Sequence, residues 1–367
     1  MRVVLLTGIW PPDIGGPATH GPDFAAFLRD RGHLVRVVTM SDGTLADEQP
    51  VPVDTVRRSR PFPVRYGGVA AKGWRLARSA DVVYATATYA AAAVAAAGRP
   101  LVAKLVSDPA YERAWRYRLY RGSLEQFAST HDPRLRVLRS VRTASLRRAA
   151  RIVVPSRYLA EIAGGWGLDR SRIEVLVNPA PPVTAVTPEK LPAGTLVFVG
   201  RLTTQKDLPL ALRALSAVDG ARLVVVGDGP ERSTLERLTG DLGLTDRVDF
   251  RGAQPRSEVL RTLAGARAAI LASAWENLPH AAVEALSVGT PVVSTSVGGV
   301  PEVVHDDENG LLVPAGDDAA LATAFRRIVG DDVLRARLAA AAQSSVAPIG
   351  RDEIYGRLEQ ILFEVSG

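Results

Sequence analysis

The sequence predicts an α/β protein made of two doubly wound parallel sheets, and three observations carry the prediction. Short apolar runs alternate with helical patterns along all 367 residues, the order that βαβ units produce. A Pro-rich stretch from Val177 through Pro181, Pro182 and Pro188 to Pro192 divides the chain, as a linker does. A chain of this length is also too long for one ordinary core.

In the first half the predicted strands are Val3–Thr7, Leu34–Thr39, Val82–Ala85, Leu101–Val106 and Ile152–Val154. The opening run Val3-Val4-Leu5-Leu6 ends at once in Thr7-Gly8 and Pro11-Pro12, so it reads as a buried strand rather than a signal peptide. In the second half they begin at Leu196 and continue at Leu223–Val226, Val248–Phe250, Ala269–Leu271 and Val292–Ser294, with a last helix from about Asp352 to Phe363. The Ala-rich run 90–97 is too short to span a bilayer. Hydrophobic content of 47% is that of a globular chain. The absence of Cys excludes disulfide and thiol chemistry, and a cytoplasmic location is expected.

Four clusters carry the chemistry. In Ala274-Trp275-Glu276-Asn277-Leu278-Pro279-His280-Ala281-Ala282-Val283-Glu284, two carboxylates stand eight positions apart where a helix should begin. On one helix that spacing brings both to nearly the same face, beside N–H groups that attract an anion. Such a pair suits the hydroxyls and phosphates of a nucleotide sugar, although Glu pairs also occur on plain solvated faces. Phe198-Val199-Gly200-Arg201-Leu202 through Lys206 places two cations in the loop after a strand, where ligands bind in open α/β sheets. Arg forks onto phosphate oxygens and Lys adds a point charge. The third cluster is Gly227-Asp228-Gly229-Pro230. The fourth is Gly298-Gly299-Val300-Pro301-Glu302 followed by Asn309-Gly310.

In this order the clusters resemble the retaining glycosyltransferases of family 4, which have the GT-B fold. The N-terminal half fits as well, with its first strand, the loop Pro11-Pro12 to Gly15-Gly16, and Ile152-Val153-Val154-Pro155-Ser156. The resemblance implies two Rossmann-like domains facing a cleft. The acceptor-side domain is expected over 1–182, with the helix near 350–367 packing back onto it. The nucleotide-sugar domain is expected over 193–349.

It also implies roles. Glu276 contacts the donor sugar and Glu284 holds the ribose hydroxyls. Arg201 and Lys206 hold the diphosphate, and Gly15 and Gly16 close over it. Gly227 and the backbone near Arg251 and Gly252 frame the nucleotide. Asn277, Leu278, Pro279 and His280 follow the first glutamate and line the donor site. Relatives there carry Gly-Phe-Gly or Gly-Phe-Pro; Pro279 lacks an N–H for sugar hydroxyls, and the Asn277 amide is an added donor and acceptor. Many relatives have a His after the strand that corresponds to Leu101–Val106. This chain has Ser107-Asp108-Pro109-Ala110-Tyr111-Glu112 instead, which more closely resembles a bacterial subgroup with Gly-Asp followed by an aromatic and Trp-Glu. Asp108 is therefore either a sugar- or acceptor-side group or the N-cap of the next helix. His20 either reaches the acceptor or lies on a helix surface.

The expected activity is transfer from a nucleotide diphosphate sugar, UDP- or GDP-linked first, to a hydroxyl of a glycan, lipid-linked or small-molecule acceptor. No metal or cofactor is implied. Retention by double displacement needs a nucleophile on the opposite face, and the motif names none. The resemblance favours attack on the same face as the departing phosphate, with Arg201 and Lys206 stabilising the leaving charge.

Other sugar-nucleotide enzymes of the same fold (an epimerase or a phosphorylase) and a non-catalytic binding relative remain as alternatives. A dehydrogenase is disfavoured, since no Gly-x-Gly-x-x-Gly follows the first strand.

Charge is divided unevenly. Residues 1–180 hold 27 Lys+Arg against 15 Asp+Glu, a net of +12, whereas 181–367 hold 18 against 24, a net of −6. The excess lies in Arg113–Arg121 and Arg134–Arg151. The latter sets Leu135, Leu138 and Val141 at helical spacing beside Arg136, Arg139, Arg142, Arg147 and Arg148. A basic amphipathic helix can rest on anionic lipid, so peripheral binding at the inner membrane face is one expectation, and a solvated helix covering the sheet or a site for an anionic soluble acceptor is the other. Nucleic acid is not an expected partner, because acids are interspersed and no aromatic platform is visible.

Overall fold

A computed structural model describes residues 1–13, 16–45, 48–88, 91, 94–180 and 186–367. The chain forms two compact units, one of Met1–Asn178 with Asp352–Gly367 and one of Pro179–Arg351.

The first unit is built on seven strands: β1 (Arg2–Leu6), β2 (Leu34–Met40), β3 (Val53–Val56), β4 (Val82–Ala85), β5 (Leu101–Lys104), β6 (Arg151–Val154) and β7 (Ile173–Val175). Their order is β3-β2-β1-β4-β5-β6-β7, and all are parallel. Val3 of β1 stands between Val35 and Val82. Helices cover both faces of such a sheet, so its central strands are apolar throughout rather than alternating; β4 and β5 are buried at every residue. The edge strands β3 (VDTV) and β7 (IEV) are partly exposed and polar. They lack the apolar signal and were not expected from the sequence.

The second unit holds β8 (Thr195–Val199), β9 (Arg222–Val226), β10 (Val248–Gly252), β11 (Ala268–Leu271), β12 (Val292–Thr295) and β13 (Gly310–Val313). They are again parallel, in the order β10-β9-β8-β11-β12-β13. β13 was likewise not expected as a strand. The α/β class with two doubly wound sheets is as the sequence predicts.

In each sheet the winding direction reverses once, between β1 and β4 and between β8 and β11. At such a switch point the loops after two neighbouring strands leave in opposite directions and open a crevice at the strands' carboxyl ends.

Within the first unit the last helix, Arg351–Ser366, packs its Tyr355 ring against Phe24 and Phe27 at 5.2 and 5.5 Å between centroids. Its Glu359 accepts from His33 at 2.6 Å and Arg31 at 2.9 Å, and Arg357 donates to Glu174 at 2.7 Å. His20 does not lie on a helix surface. It is buried, stacks on Phe24 at 5.9 Å and meets the Tyr84 hydroxyl at 2.8 Å.

The loop after β8 is seated by glycine. Gly227 has φ +136°, and a Cβ there would lie 1.9 Å from the Gly200 carbonyl oxygen; one at Gly229 would lie 2.3 Å from that of Leu202. Only a residue without a side chain lets the turn after β9 back directly onto loop 200–202. That contact is then fixed by Gly200 N–H to Val226 and Leu202 N–H to Asp228, both at 3.0 Å. Gly227→Ala should therefore destabilise the protein by about 2–4 kcal/mol in denaturant titration. Gly240→Ala, in a helix with nothing within 4 Å of the new methyl, should instead stabilise by about 0.5–1 kcal/mol.

Candidate functional site

The switch point of the second unit brings the two principal motifs together. The loop after β8 ends in a 3₁₀ turn, Thr204–Lys206, and Asp207 takes a left-handed conformation (φ 41°, ψ 47°) that turns the chain into the helix Leu208–Ser216. Few non-glycine residues adopt that conformation, and here it aims Lys206 back across the crevice. The loop after β11 meets it: Ala274 N–H donates to the Gln205 carbonyl at 2.9 Å, and the Gln205 amide donates to the Trp275 carbonyl at 3.1 Å. On this frame the Lys206 ammonium pairs with the Glu276 carboxylate, which also accepts from the Ser273 hydroxyl at 2.8 Å. Glu276 is 6% exposed. A buried carboxylate needs such compensation. The Gly298-Gly299 turn closes the site from β12, its Gly299 N–H donating to the Glu276 carbonyl at 3.3 Å.

The two glutamates do not share one helix. The helix is His280–Ser287, so Glu284 is within it while Glu276 lies in the preceding loop. Glu276 is positioned by that loop rather than by a helical turn, because Pro279 caps the helix and cannot be passed as an interior residue. Asn277, Leu278 and Pro279 are buried and His280 is exposed. Glu284 pairs with Arg256 at 3.2 Å, and burial pushes its carboxyl above the usual range despite that partner. Arg201 is exposed at the loop's start. Arg251 turns its guanidinium to Glu189 at 2.9 Å and Asp249 at 2.7 Å, and the neighbouring Gly252 carbonyl accepts from Gly227 N–H at 2.8 Å. Asn309 is structural. Fully buried, it accepts from His305 N–H at 2.8 Å and donates to Val303 and Ser345.

In the first unit, Gly15 lies outside the described residues and Gly16 opens the helix Gly16–Asp30. Asp108 is an N-cap. Its carboxylate accepts from Ala110 and Tyr111 N–H at 2.8 and 3.3 Å and binds Arg142 at 2.5 Å. At 1% exposure it is taken up by these partners. A cavity does open at this unit's switch point. It is lined by residues that follow β1, β4 and β5, among them Gly8, Thr86 and Ser107.

Family models match most of the chain: "Glycosyltransferase Family 4" over residues 14–182 and "Glycosyl transferases group 1" over 185–345. The 2-deoxystreptamine N-acetyl-D-glucosaminyltransferase of Streptomyces fradiae is 33% identical over 73% of this chain and 68% of its own. The chain belongs to the group 1 glycosyltransferases. The lipopolysaccharide core biosynthesis glycosyltransferase LpsD of Rhizobium meliloti is 38% identical over 48% of this chain. That match spans only 52% of LpsD, so the chain covers about half of this relative's length. Among solved structures, Anabaena HepE in complex with UDP superposes with a TM-score of 0.82 at 22% identity, covering 99% of this chain and all of that one. WaaG, involved in lipopolysaccharide biosynthesis, gives 0.75 at 19% with complete coverage of both. These likenesses establish the GT-B fold.

Several supporting residues of this glycosyltransferase were not read from the sequence. Ser273 precedes Glu276 by three and reads as an ordinary loop serine. Arg256 and Glu189 are distant in sequence from Glu284 and Arg251. Arg142 looks like one more surface arginine, yet it is buried against Asp108 and lies 3.7 Å from the Trp166 ring centroid.

Arg142→Ala should cost about 3–5 kcal/mol in denaturant titration, because it strands a buried carboxylate. Burial already holds the Asp108 carboxyl above the usual carboxylate range. A carboxyl raised in the folded state contributes stability that is lost as pH rises through that folded value. Without Arg142 the value rises further, so the deficit should be largest near pH 7 and shrink as pH falls toward 5.

Proposed function

We propose that the chain transfers a glycosyl group from a nucleoside diphosphate sugar to an acceptor hydroxyl with retention of configuration. The observation that carries the reading is the meeting of Lys206 and Glu276 at the switch point of the second unit, beside the exposed Arg201 and a helix carrying Glu284. Lys206 and Arg201 hold the diphosphate and stabilise the charge that grows on it as the glycosidic bond breaks. Glu276 positions the sugar, and Glu284 accepts the ribose hydroxyls in place of Arg256. The acceptor attacks on the face the diphosphate leaves, and the departing phosphate takes its proton. Glu276 is already engaged by Lys206 and Ser273, which favours a positioning role over that of a nucleophile. The first unit supplies the acceptor side, and UDP is the first nucleotide to test, since HepE is solved with UDP.

Glu276→Gln should lower turnover by about 10²-fold or more while leaving UDP affinity within about threefold. Glu284→Ala should weaken UDP by about tenfold, the loss of charge-assisted hydrogen bonds. Calorimetric UDP titration and transfer rates on both variants check the assignment, and equal loss in both would contradict it.

Peripheral membrane contact is a further part of the proposal, now narrowed by the structure. In the helix Pro133–Leu146, Leu135 and Arg142 are buried, and Arg139 donates to carbonyls of Phe127 and Ala128. Val141 lies on the outer face with Val137, at 47% and 61% exposure, beside exposed Arg136, Arg147 and Arg148. No helix among the described residues is long and apolar enough to cross a membrane. Phosphatidylglycerol vesicles should co-sediment with the protein at low salt, and Val137→Ser/Val141→Ser should reduce this severalfold. Absence of binding at low salt would remove the membrane from the account.

A further inference from the structure

The helix Arg256–Gly265 starts directly after Pro255, in the loop that follows β10. Its place beside the helix His280–Ser287 is built from both ends. At the far end the buried Thr290 hydroxyl, just past the second helix, donates to the Leu263 carbonyl at 2.7 Å, and the Thr262 hydroxyl donates to Glu189 at 2.7 Å. At the near end Arg256 Nε meets Glu284 Oε1 at 3.2 Å. The arginine side chain is 45% exposed and the glutamate 20%. A pair that open to water adds little to stability, yet a cation so close decides how readily a mostly buried carboxyl keeps its charge. Burial pushes the Glu284 carboxyl up, and Arg256 opposes that through its charge and its hydrogen bond. Other ionisable groups on the neighbouring helices turn elsewhere: Glu258 and Arg261 to each other at 3.1 Å, Arg335 to the Ala266 carbonyl at 3.5 Å, Arg337 to Asp307 at 3.0 Å and Asp332 to Arg267 at 2.5 Å. From the helix Asp332–Val346, Gln343 reaches this helix as a neutral amide, donating to the Ser287 carbonyl at 3.2 Å. The flanking strands β11 and β12 carry no ionisable residue. On its own helix, His280 stands one turn before Glu284.

We infer that Arg256 is a positioning residue for nucleotide binding: its charge keeps Glu284 ionised in a largely buried place, so that both carboxylate oxygens accept from the ribose hydroxyls. The inference rests on the donor reading proposed above. An ionised carboxylate only accepts, whereas a protonated one turns one of its oxygens into a donor and loses half of its match to a pair of hydroxyls. The ribose takes over the one hydrogen bond that Arg256 makes. The guanidinium then needs only to stay near, because an opposite charge acts on a carboxyl from about 4–6 Å.

Calorimetric titration of UDP into the full chain, from about pH 6 to about pH 8, tests this. Removing the cation raises the Glu284 carboxyl further, and binding that needs the ionised form is lost as pH falls through that value. Arg256→Gln should therefore weaken UDP by about tenfold near pH 6 and by much less near pH 8. The titrations of UDP itself and of His280 are present in both proteins, so the ratio of their affinities reads Arg256. Arg256→Lys keeps the charge and should restore most of the wild-type profile. In a Glu284→Ala background Arg256→Gln should cost nothing more, whereas an arginine that gripped the diphosphate directly would still cost about tenfold there. A loss from Arg256→Gln that is absent, independent of pH, or undiminished in the Glu284→Ala background overturns the inference and leaves the donor reading standing. A wild-type chain that does not bind UDP at any pH overturns the donor reading and this inference with it.

Discussion

Lys206 and Glu276 are seventy residues apart in sequence, and their ion pair is the contact around which the second unit's site is organised. It exists because the sheet reverses its winding between β8 and β11, so two loops that would otherwise diverge share one crevice. The pair is largely withdrawn from water, with side-chain exposures of 21% and 7%. Each charge would be costly there alone, and Ser273 supplies part of what Glu276 still requires. A ligand bringing a diphosphate and a sugar offers both partners a replacement: phosphate oxygens for the ammonium and hydroxyls for the carboxylate.

The motifs divide into residues that touch chemistry and residues that let the loops approach one another. Gly227 and Gly229 belong to the second kind, because any side chain would strike the backbone of loop 200–202. Asn309 and Gly310 belong there too: the amide ties loop 303–309 to Ser345, and a Cβ at Gly310 would lie 2.2 Å from the Val292 carbonyl oxygen. Recurrent spacing along the chain thus reflects backbone contact as much as ligand contact. The charged members, Arg201, Lys206, Glu276 and Glu284, stand at loop ends or on a helix.

Much of this was legible in the sequence, for a physical reason. Central strands of a parallel sheet are apolar on both faces, so Val82–Ala85 and Leu223–Val226 announce themselves. The edge strands Val53–Val56 and Ile173–Val175 carry acids and do not. The order of the loops was readable, and so were their charged residues. What was not readable is whatever depends on tertiary approach. Asp108 followed by a helix fits a cap and a ligand equally until Arg142, 34 residues on, is seen against it. His20 looks like a helix-surface residue until the aromatic cluster closes around it. The shared face of Glu276 and Glu284 was expected from helical geometry, whereas Glu276 lies in the loop before Pro279, outside the helix that carries Glu284.

The central claim is that one nucleotide diphosphate site is formed where the loops after β8 and β11 meet. Hydrogen–deuterium exchange of the full chain with and without saturating UDP measures this most directly. Protection concentrated in residues 200–206 and 273–284, with 227–229 following as the backing turn, is the predicted result. Protection absent from both loops, or confined to the first unit, would contradict it.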